Sequence, residues 1–434
     1  MDDVIAVNAP IRVAQLGCGT VGSHVARLLL SGTDLSAHIG HPLQVTGIAV
    51  RHLDKARPGI DPALLTTDSE SLVDDADVVV EVIGGIEPAR TLILRAMAHG
   101  ASIVTANKAL LAAHGPELYA SAEANGVDLY FEAAVAGAIP IIRPLRESLV
   151  GDEILCVKGI VNGTTNFILD EMTNSGMSFA DALGLAQELG FAEPDPTADV
   201  EGFDAAAKAS LLASLGFRTQ ILGDEVSRDG ITSVTTDDIE AANRLGYVIK
   251  LLACAKPLDA DPTQISVWVR PTMVPLSHPL ANVHGGNNAI FVESRNAGRL
   301  MFMGPGAGGA PTASAVLGDL VTVARNRVAG VHLPPTMDSG SRRAASHGDA
   351  MTSAYIALTV ADSPGVLARI ASVFAAHQVS ISTVHQGPSD ARSAVLDITT
   401  HCSRWGDVQD SVAELKTLTD VVHGDIRVYA VEGN

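Results

Sequence analysis

Residues able to bind charged groups or move protons are concentrated in one short stretch, positions 192–208. It contains five carboxylates and a lysine: Glu193, Asp195, Asp199, Glu201, Asp204 and Lys208. Pro194 and Pro196 hold its first half extended, because each proline fixes its own φ and restricts the residue before it. A helix is predicted from about Val200, which places Asp204 and Lys208 four residues apart on one helical face.

Two interpretations of this Asp204–Lys208 spacing are open. Most such pairs are solvated ion pairs that stabilise a helix by a few tenths of a kcal/mol. However, the residues that follow, at 205–215, are nearly all apolar, which predicts burial, and a buried lysine needs carboxylate partners. Such a lysine can protonate a developing alkoxide while the carboxylates hold an ammonium group on the substrate.

The composition limits the classes of protein that this chain can represent. Its 434 residues predict two or three domains, and its net charge of −20 argues against nucleic acid or an anionic membrane as partner. The cysteines are isolated from one another, which makes a structural zinc site improbable: Cys18, Cys156, Cys254 and Cys402. We expect a cytoplasmic protein, since no apolar segment is long enough to cross a membrane and the first ten residues do not resemble a signal peptide.

The first domain is predicted to bind a dinucleotide. The segment 11–32 reads as a strand, the glycine turn GCGTVG and a helix from about Thr20. Gly17 permits the tight turn, Gly19 lets the pyrophosphate approach the backbone, and Gly22 allows close helix packing. The start of the helix then faces the phosphates. Further alternation of strands and helices predicts a doubly wound α/β sheet of the Rossmann type.

The end of the second strand favours NADP(H) over NAD(H). An NAD-selective site usually has a carboxylate there for the ribose 2′-hydroxyl, but this chain has Arg51, followed by His52, Lys55 and Arg57. These bases suit a 2′-phosphate, although a basic surface loop is the alternative interpretation.

Changes of pattern predict four parts. The dinucleotide-binding domain covers 1–149 and is completed by a helix at 305–330, after a glycine-rich loop that is otherwise read as a flexible turn. An α+β substrate and oligomerisation domain covers 150–304. A linker rich in Pro, Gly and Ser covers 331–350, and a further domain covers 351–434.

Five separated motifs resemble the homoserine dehydrogenases. They are TANKA at 105–109, YFEAAVAGAIP at 130–140, GIVNGTTNFIL at 159–169, the acidic stretch, and GAGGAPTASA at 306–315. The resemblance covers roughly residues 10–330. It implies reversible, NAD(P)H-dependent reduction of L-aspartate 4-semialdehyde to L-homoserine, in the pathway to threonine, isoleucine and methionine. No fused aspartate kinase is expected, because no kinase-like segment precedes residue 10.

The resemblance also implies roles for individual residues. Lys208 matches the proton donor, Asp199 would orient it, and Glu193 and Asp204 match the carboxylates that bind the substrate ammonium. Lys108 matches a second active-site lysine, and Gly163 and Thr164 match residues of the substrate pocket. Without the resemblance, Lys108 would be read as a surface residue, and Gly163 and Thr164 as part of a helix cap.

Cofactor and cation sites are implied in the same way. The expected cofactor-binding residues are Gly17, Gly19, Thr20, Val21, Gly22, Arg51, Ile83, Lys108, Gly190 and Gly306. A monovalent cation, expected to be Na⁺, would be held by Glu132 and by the backbone carbonyls of Val135, Gly137 and Ile139.

From Ser353 onward the chain resembles an ACT domain, which implies a ferredoxin-like fold. Such domains bind amino acids and pair with one another, so the resemblance implies control by L-threonine and a homodimer or homotetramer. The turn DSPG is predicted to start a helix, with Asp362 or Ser363 as its cap.

Three other functions were weighed against this one. A 2-hydroxy-acid dehydrogenase with an ACT domain would use a histidine activated by a carboxylate, and no such dyad is evident. An acyl-forming semialdehyde dehydrogenase would need a cysteine nucleophile, and only Cys18 lies outside apolar segments. A non-catalytic sensor of amino acids and dinucleotides would not need Lys108 and Lys208.

Overall fold

The structure is a computed structural model, and it describes residues 9–31, 35–332, 342–387 and 393–433. The strands are β1 (Ile11–Leu16), β2 (Leu43–Ala49), β3 (Leu65–Thr66), β4 (Val78–Glu81), β5 (Ser102–Thr105), β6 (Leu129–Tyr130), β7 (Ile154–Ile160), β8 (Ser227–Arg228), β9 (Tyr247–Pro257), β10 (Gln264–Pro275), β11 (Asn287–Ser294), β12 (Gly298–Pro305), β13 (Arg343–Ala344), β14 (Met351–Ala361), β15 (Ile381–Gln386), β16 (Ser393–Thr400), β17 (Ser403–Arg404) and β18 (Val422–Val431).

The helices alternate with these strands in the first part of the chain. They are α1 (Thr20–Leu30), α2 (Leu35–Ile39), α3 (Ser69–Asp74), α4 (Ala89–Ala98), α5 (Lys108–Asn125), α6 (Gly163–Ser175), α7 (Phe179–Glu188), α8 (Thr197–Val200), α9 (Phe203–Phe217), α10 (Thr236–Arg244), α11 (Gly309–Ala329), α12 (Val366–Ala376) and α13 (Trp405–Thr417). Over the described ranges, none of them has both the length and the apolarity of a membrane span.

The chain divides into two compact units. The first comprises Met1–Ile154, Ser210–Gly223 and Asn287–Ser341, and the second comprises Leu155–Ala209, Asp224–Gly286 and Arg342–Asn434. The second unit therefore contains both the acidic stretch and the C-terminal region. These compact units do not follow the four-part division predicted from the sequence, which stays a prediction about domains.

The first unit contains the doubly wound sheet that the sequence predicts. Its strands are parallel in the order β3-β2-β1-β4-β5-β6. The central strands form because their residues are apolar and buried, as in Val78–Glu81 and Ser102–Thr105. Helix α11 packs against α1, β4 and β5, so the glycine-rich segment does lead into a core helix.

The C-terminal part of the second unit has the ferredoxin-like fold. Strands β18, β14, β16 and β15 are neighbours in that order and pair in antiparallel fashion, with α12 and α13 connecting them. Strand β18 also pairs in parallel with β10 through Thr272 opposite Ala430. Strand β10 pairs along its whole length with β9. This confirms the α/β class and its three predicted folds.

Two local predictions were wrong. The helix expected from about Val200 begins instead at Phe203, as α9, because Gly202 has a φ of +78° and separates it from the short helix α8. Neither Asp362 nor Ser363 caps α12, whose N-cap is Gly365 with a φ of +93°. The predicted linker stays a prediction: within it Arg343–Ala344 forms a short strand beside β10, and 333–341 lie outside the described residues.

We predict that Gly202→Ala lowers the free energy of unfolding by about 1–2 kcal/mol, the usual cost of a side chain in the left-handed region. Urea unfolding of the full chain measures this. Gly184→Ala is the matched control, since Gly184 lies inside α7 with open space around it. That control should raise the stability by about 0.5–1 kcal/mol. Equal effects of the two substitutions would contradict the prediction.

Candidate active site

Lys208 is buried and is held by two oxygens. Its Nζ donates to Asp204 Oδ2 and to the main-chain oxygen of Val161, each at 2.7 Å. The side chains of Lys208 and Asp204 are 9% and 10% exposed, so the solvated ion pair considered from the sequence is the wrong interpretation. The apolar run after Asp204 buries the helix and carries the ammonium group with it.

Asn162 organises the carboxylates around this lysine. It is the N-cap of α6, and its Oδ1 accepts from the Thr165 N–H at 2.8 Å. Its Nδ2 donates to Asp199 Oδ1 at 2.6 Å and to Asp204 Oδ2 at 2.9 Å. One buried amide thus starts a helix and positions two carboxylates. Asn162 is not among the site residues expected from the sequence, although an Asn before GTT is a recognisable cap.

The acid–lysine cluster, defined as Asn162, Asp199, Asp204 and Lys208, has an excess of negative charge when its carboxylates are ionised. Burial is the main factor that raises the pKa of Asp199, and the nearby Asp204 carboxylate raises it further. Two carboxylates and one ammonium in a half-buried site favour a second cation. The ammonium group of an amino-acid substrate would satisfy this requirement.

Thr164 and Gly163 form the first turn of α6 beside the cluster. The Thr164 hydroxyl donates to the main-chain oxygen of Phe191 at 2.7 Å and also interacts with Asp199. Phe191 stacks on Phe167 with ring centroids 4.6 Å apart. The interpretation of Thr164 as the helix cap is wrong, because Asn162 has that role.

Two other residues expected here lie on the segment between α7 and α8. Gly190 has a φ of +77°, which only glycine adopts readily. Glu193 is exposed, and its main-chain oxygen accepts from Gln187 Nε2 at 3.2 Å. Among the described residues, the Glu193 carboxylate makes no hydrogen bond to the cluster.

The glycine turn lies in the first unit, where steric limits explain its residues. A Cβ on Gly17 would be 2.8 Å from the oxygen of Val82, and one on Gly22 would be 2.3 Å from the oxygen of Gly17. Gly19 is the N-cap of α1, which begins with Thr20 and Val21. The turn can therefore approach a pyrophosphate, as the fingerprint requires.

A cavity of about 550 Å³ opens beside this turn. Its lining includes Gly17, Gly19 and Ile83, and also all four bases noted after β2: Arg51, His52, Lys55 and Arg57. Among the described residues that line it there is no carboxylate. The Nε of Arg57 is buried and has no hydrogen-bond partner in the described part of the chain. The donor set therefore fits a phosphate better than a ribose hydroxyl.

Glu81 shapes the same edge of the sheet and was not identified from the sequence. It is fully buried at the end of β4, where its carboxylate accepts from the N–H groups of Ile83 and Gly84 at 2.8 and 3.2 Å. The Thr105 hydroxyl, at the end of β5, donates to its other oxygen at 2.5 Å. Lys108 follows at the start of α5, partly buried. The sequence signal available for Glu81 was an acidic residue within an otherwise apolar predicted strand.

Glu132 is buried and bound by the backbone. Its carboxylate accepts from the N–H groups of Ile141, Ile142 and Arg143 at 2.6, 2.7 and 3.0 Å. The Arg143 Nε lies 3.3 Å from it. These bonds occupy the carboxylate, so Glu132 fits the expected cation site through its main-chain oxygen only. No group of three or more His, Cys, Asp or Glu side chains within the described ranges has the arrangement of a metal site.

Asp319 lies beside Glu132 and is equally buried. Its Oδ2 accepts from the Glu132 N–H at 2.7 Å, and its Oδ1 is 3.6 Å from the Arg143 Nε. Burial, with the Glu132 charge as a second factor, raises the pKa of Asp319 to about 7. A carboxyl group in α11 therefore holds the start of the 132–143 segment.

Gly306 and Gly137 are in close contact within the first unit. A Cβ on Gly137 would be 2.6 Å from the Gly306 oxygen, and one on Gly306 would be 2.1 Å from the side chain of Asn288. Both glycines are required by this packing. The segment expected to bind the cofactor, at Gly306, therefore contacts the segment expected to bind the cation, at Gly137, inside this unit.

Comparison with known proteins identifies the same regions. A family model described as homoserine dehydrogenase matches residues 140–321, one described as its NAD-binding domain matches 17–132, and an ACT domain matches 354–418. A homoserine dehydrogenase of Corynebacterium glutamicum is 51% identical over 411 residues, covering 94% of this chain and 92% of that protein.

Solved structures agree with these matches. A homoserine dehydrogenase from Thiobacillus denitrificans has a TM-score of 0.92 at 39% identity, and 98% of each chain is covered. A hyperthermophilic archaeal homoserine dehydrogenase in complex with NADPH has a TM-score of 0.60 at 27% identity, covering 73% of this chain and 98% of that one. The chain belongs to the homoserine dehydrogenase family, in the form that carries a C-terminal ACT domain.

Proposed function

We propose that this chain reduces L-aspartate 4-semialdehyde to L-homoserine, reversibly, with NADP(H) preferred to NAD(H). The observation that carries the proposal is the buried Lys208, held by Asp204 and linked through Asn162 to Asp199. This arrangement supplies an acid for an alkoxide and negative charge for a substrate ammonium. Family membership supplies the substrate.

In the proposed mechanism, Asp204 binds the substrate ammonium, and Glu193 joins it from the exposed segment between α7 and α8. Asp199, linked to Asp204 through Asn162, helps to orient Lys208. A reduced nicotinamide coenzyme, when bound, would supply the hydride for the aldehyde carbon. Lys208 donates a proton to the carbonyl oxygen as negative charge develops there, and it then recovers a proton from water. Lys108 is the second active-site lysine. Gly163 and Thr164 line the substrate pocket, where the Thr164 hydroxyl oxygen is left to accept a hydrogen bond because its hydrogen is donated to Phe191.

The proposed coenzyme site uses the turn Gly17–Gly22 and the basic residues after β2. Arg51 binds the 2′-phosphate, with His52, Lys55 and Arg57 beside it in the same cavity. Ile83, which lines this cavity and whose N–H is held by Glu81, would contact the dinucleotide. Lys108, Gly190 and Gly306 complete the set proposed from the family.

We also propose a Na⁺ site formed by main-chain oxygens of Glu132, Val135, Gly137 and Ile139. Carbonyl oxygens suit a hard monovalent cation. The left-handed φ of Ala136 and Gly137, at 56° and 57°, turns the chain sharply between these carbonyls, which supports the proposal.

The wider biological role is proposed from the family. It includes a place in threonine, isoleucine and methionine biosynthesis, inhibition by L-threonine through the ACT domain, and a homodimer or homotetramer. Light scattering of the purified full chain tests the assembly, since a monomer at all concentrations would exclude it.

Lys208→Met is expected to lower kcat by about 10²–10⁴, because general-acid assistance contributes that much. NADPH affinity should change little, because Lys208 does not line the coenzyme cavity. NADPH oxidation with L-aspartate 4-semialdehyde measures the first quantity, and NADPH fluorescence measures the second.

The matched control is Lys250→Met. Lys250 is also fully buried, where it donates to the Val283 oxygen at 2.8 Å and to Asn166 Oδ1 at 3.1 Å. Its loss should lower stability and leave the kcat of the folded fraction largely unchanged. Normal turnover in Lys208→Met would exclude the assigned role.

Arg51→Ala is expected to raise the KM for NADPH by about tenfold, the value of one charge-assisted hydrogen bond to phosphate, while the KM for NADH stays constant. Steady-state kinetics with both coenzymes measure this. Arg295→Ala is the control, because Arg295 is exposed and pairs with Glu153 away from the cavity. An equal rise in the KM for NADH would show that Arg51 does not recognise the 2′-phosphate.

Replacing Na⁺ by choline at constant ionic strength is expected to lower the melting midpoint of the protein, and NaCl titration should restore it. Ligand binding to the folded state alone stabilises it by mass action. Calorimetric melting measures the midpoint. An unchanged midpoint across the titration would remove the cation from the proposal.

A further inference from the structure

A second cavity lies in the second unit, away from the acid–lysine cluster. It has a volume of about 400 Å³ and is lined by β10, by the segment 229–233, and by α13 and β18 of the ACT domain. Its polar lining includes Arg270, Asp229 and Lys416. The size is sufficient for a small organic molecule.

Arg270 is the unusual residue of this cavity. Its side chain is 1% exposed, yet its Nε and Nη1 have no hydrogen-bond partner among the described residues. Only Nη2 donates, to the Ser227 hydroxyl at 3.2 Å, and Asp229 Oδ2 stays 3.6 Å from Nε. A buried guanidinium normally has its donors satisfied, so this one has donors left for a ligand.

The surroundings hold Arg270 in place. Its guanidinium carbon lies 4.3 Å from the ring centroid of Trp405 and 5.2 Å from that of Trp268. Stacking between two indole rings restricts the group to one orientation. Lys416 is a second positive charge in the lining, whereas Asp229 is a carboxylate whose side chain is 57% exposed.

We propose that this cavity binds an α-amino acid, whose carboxylate accepts hydrogen bonds from Arg270 and whose ammonium group pairs with Asp229. A planar, bidentate guanidinium fits a carboxylate. Adjacent charges of both signs select a zwitterion over a simple anion.

The cavity wall also contacts the segment that carries the acid–lysine cluster. The Ile231 N–H donates to the Val200 oxygen at 2.8 Å, and Arg228 Nη1 donates to the Glu201 oxygen at 2.9 Å. A Cβ on Gly230 would be 2.4 Å from the Val200 oxygen. The residues after Asp229 therefore pack directly on the turn between α8, which carries Asp199, and α9, which carries Asp204 and Lys208.

Occupancy of the cavity thus biases the position of the catalytic carboxylates. A ligand that binds Asp229 restrains the segment 229–233, which is hydrogen-bonded to the turn between α8 and α9. The proposed binding is inferred from the cavity alone. The proposed effect on turnover rests, in addition, on the function proposed above.

Tryptophan fluorescence of the full chain tests binding directly, because the chain has two tryptophans and both lie at Arg270. The probes are L-threonine, L-isoleucine and L-methionine, with acetate and ethylamine as single-charge controls. We expect a saturable change with at least one of the three amino acids and a much weaker response to acetate and ethylamine. Absence of a saturable change with all three amino acids overturns the proposal.

Substitutions at the two charged residues test whether the amino acid binds in this cavity. Asp229→Asn and Arg270→Gln are each expected to weaken binding about tenfold or more. Because Arg270 is buried and its replacement disturbs the packing of this region, Asp229→Asn, at an exposed position, is the decisive variant. Asp420→Asn, an exposed carboxylate of the ACT domain paired with Arg369, is the matched control and should bind normally.

A variant of the DSPG turn, which lies outside the cavity lining, separates this cavity from the rest of the ACT domain. If Ser363→Ala abolishes the fluorescence change and Asp229→Asn retains it, the proposal is overturned. For coupling, the bound amino acid should change kcat in the unaltered protein and have little effect in Asp229→Asn. Binding without any change in turnover overturns the coupling.

Discussion

The buried ammonium of Lys208 is the constraint on which the second unit depends. An uncompensated charge at that depth would destabilise the fold by about 3–5 kcal/mol, so oxygens must be held around it. Asp204 supplies one from the same helix, and Val161 supplies another from the end of β7. Asn162 then fixes both carboxylates from the start of α6. The positions of α6, α8 and α9 are therefore linked by a few polar bonds.

The candidate sites of the two units have local charge of opposite sign, although the whole chain is strongly acidic. The acid–lysine cluster combines two carboxylates with one ammonium, which suits a cationic substrate group. The cavity beside the glycine turn is lined by Arg51, His52, Lys55 and Arg57, which suits phosphate. A net charge of −20 makes such a local basic patch necessary for any anionic coenzyme.

Strand β10 connects the two functions assigned to the second unit. It pairs with β9 along its length and with β18 of the ACT domain at one end, and it carries Arg270 in between. Tyr429 of β18 donates to Asp238 Oδ2 at 2.8 Å, and Lys158 of β7 pairs with Glu432 at 2.5 Å. These buried polar links join the ACT strand to the rest of the unit.

The sequence alone determined the features that depend on local chemistry. Glycine geometry identified the dinucleotide turn at Gly17–Gly22, helical periodicity brought Asp204 and Lys208 onto one face, and the bases after β2 indicated a phosphate. The five separated motifs indicated the family, and the segment from Ser353 onward indicated the ACT fold.

Only the tertiary structure decided which distant groups meet. Asn162, Glu81 and Asp319 gain their roles from partners 24 to 187 residues away or from burial, and no local pattern encodes such contacts. Gly202 interrupts a helix that propensity would have continued, because the turn there must accommodate the segment 228–232. Arg270 is unremarkable in the sequence VWVRPTM. Its unsatisfied donors exist because β10, α13 and two tryptophans enclose it, and only the packed chain can bury a charge in this way.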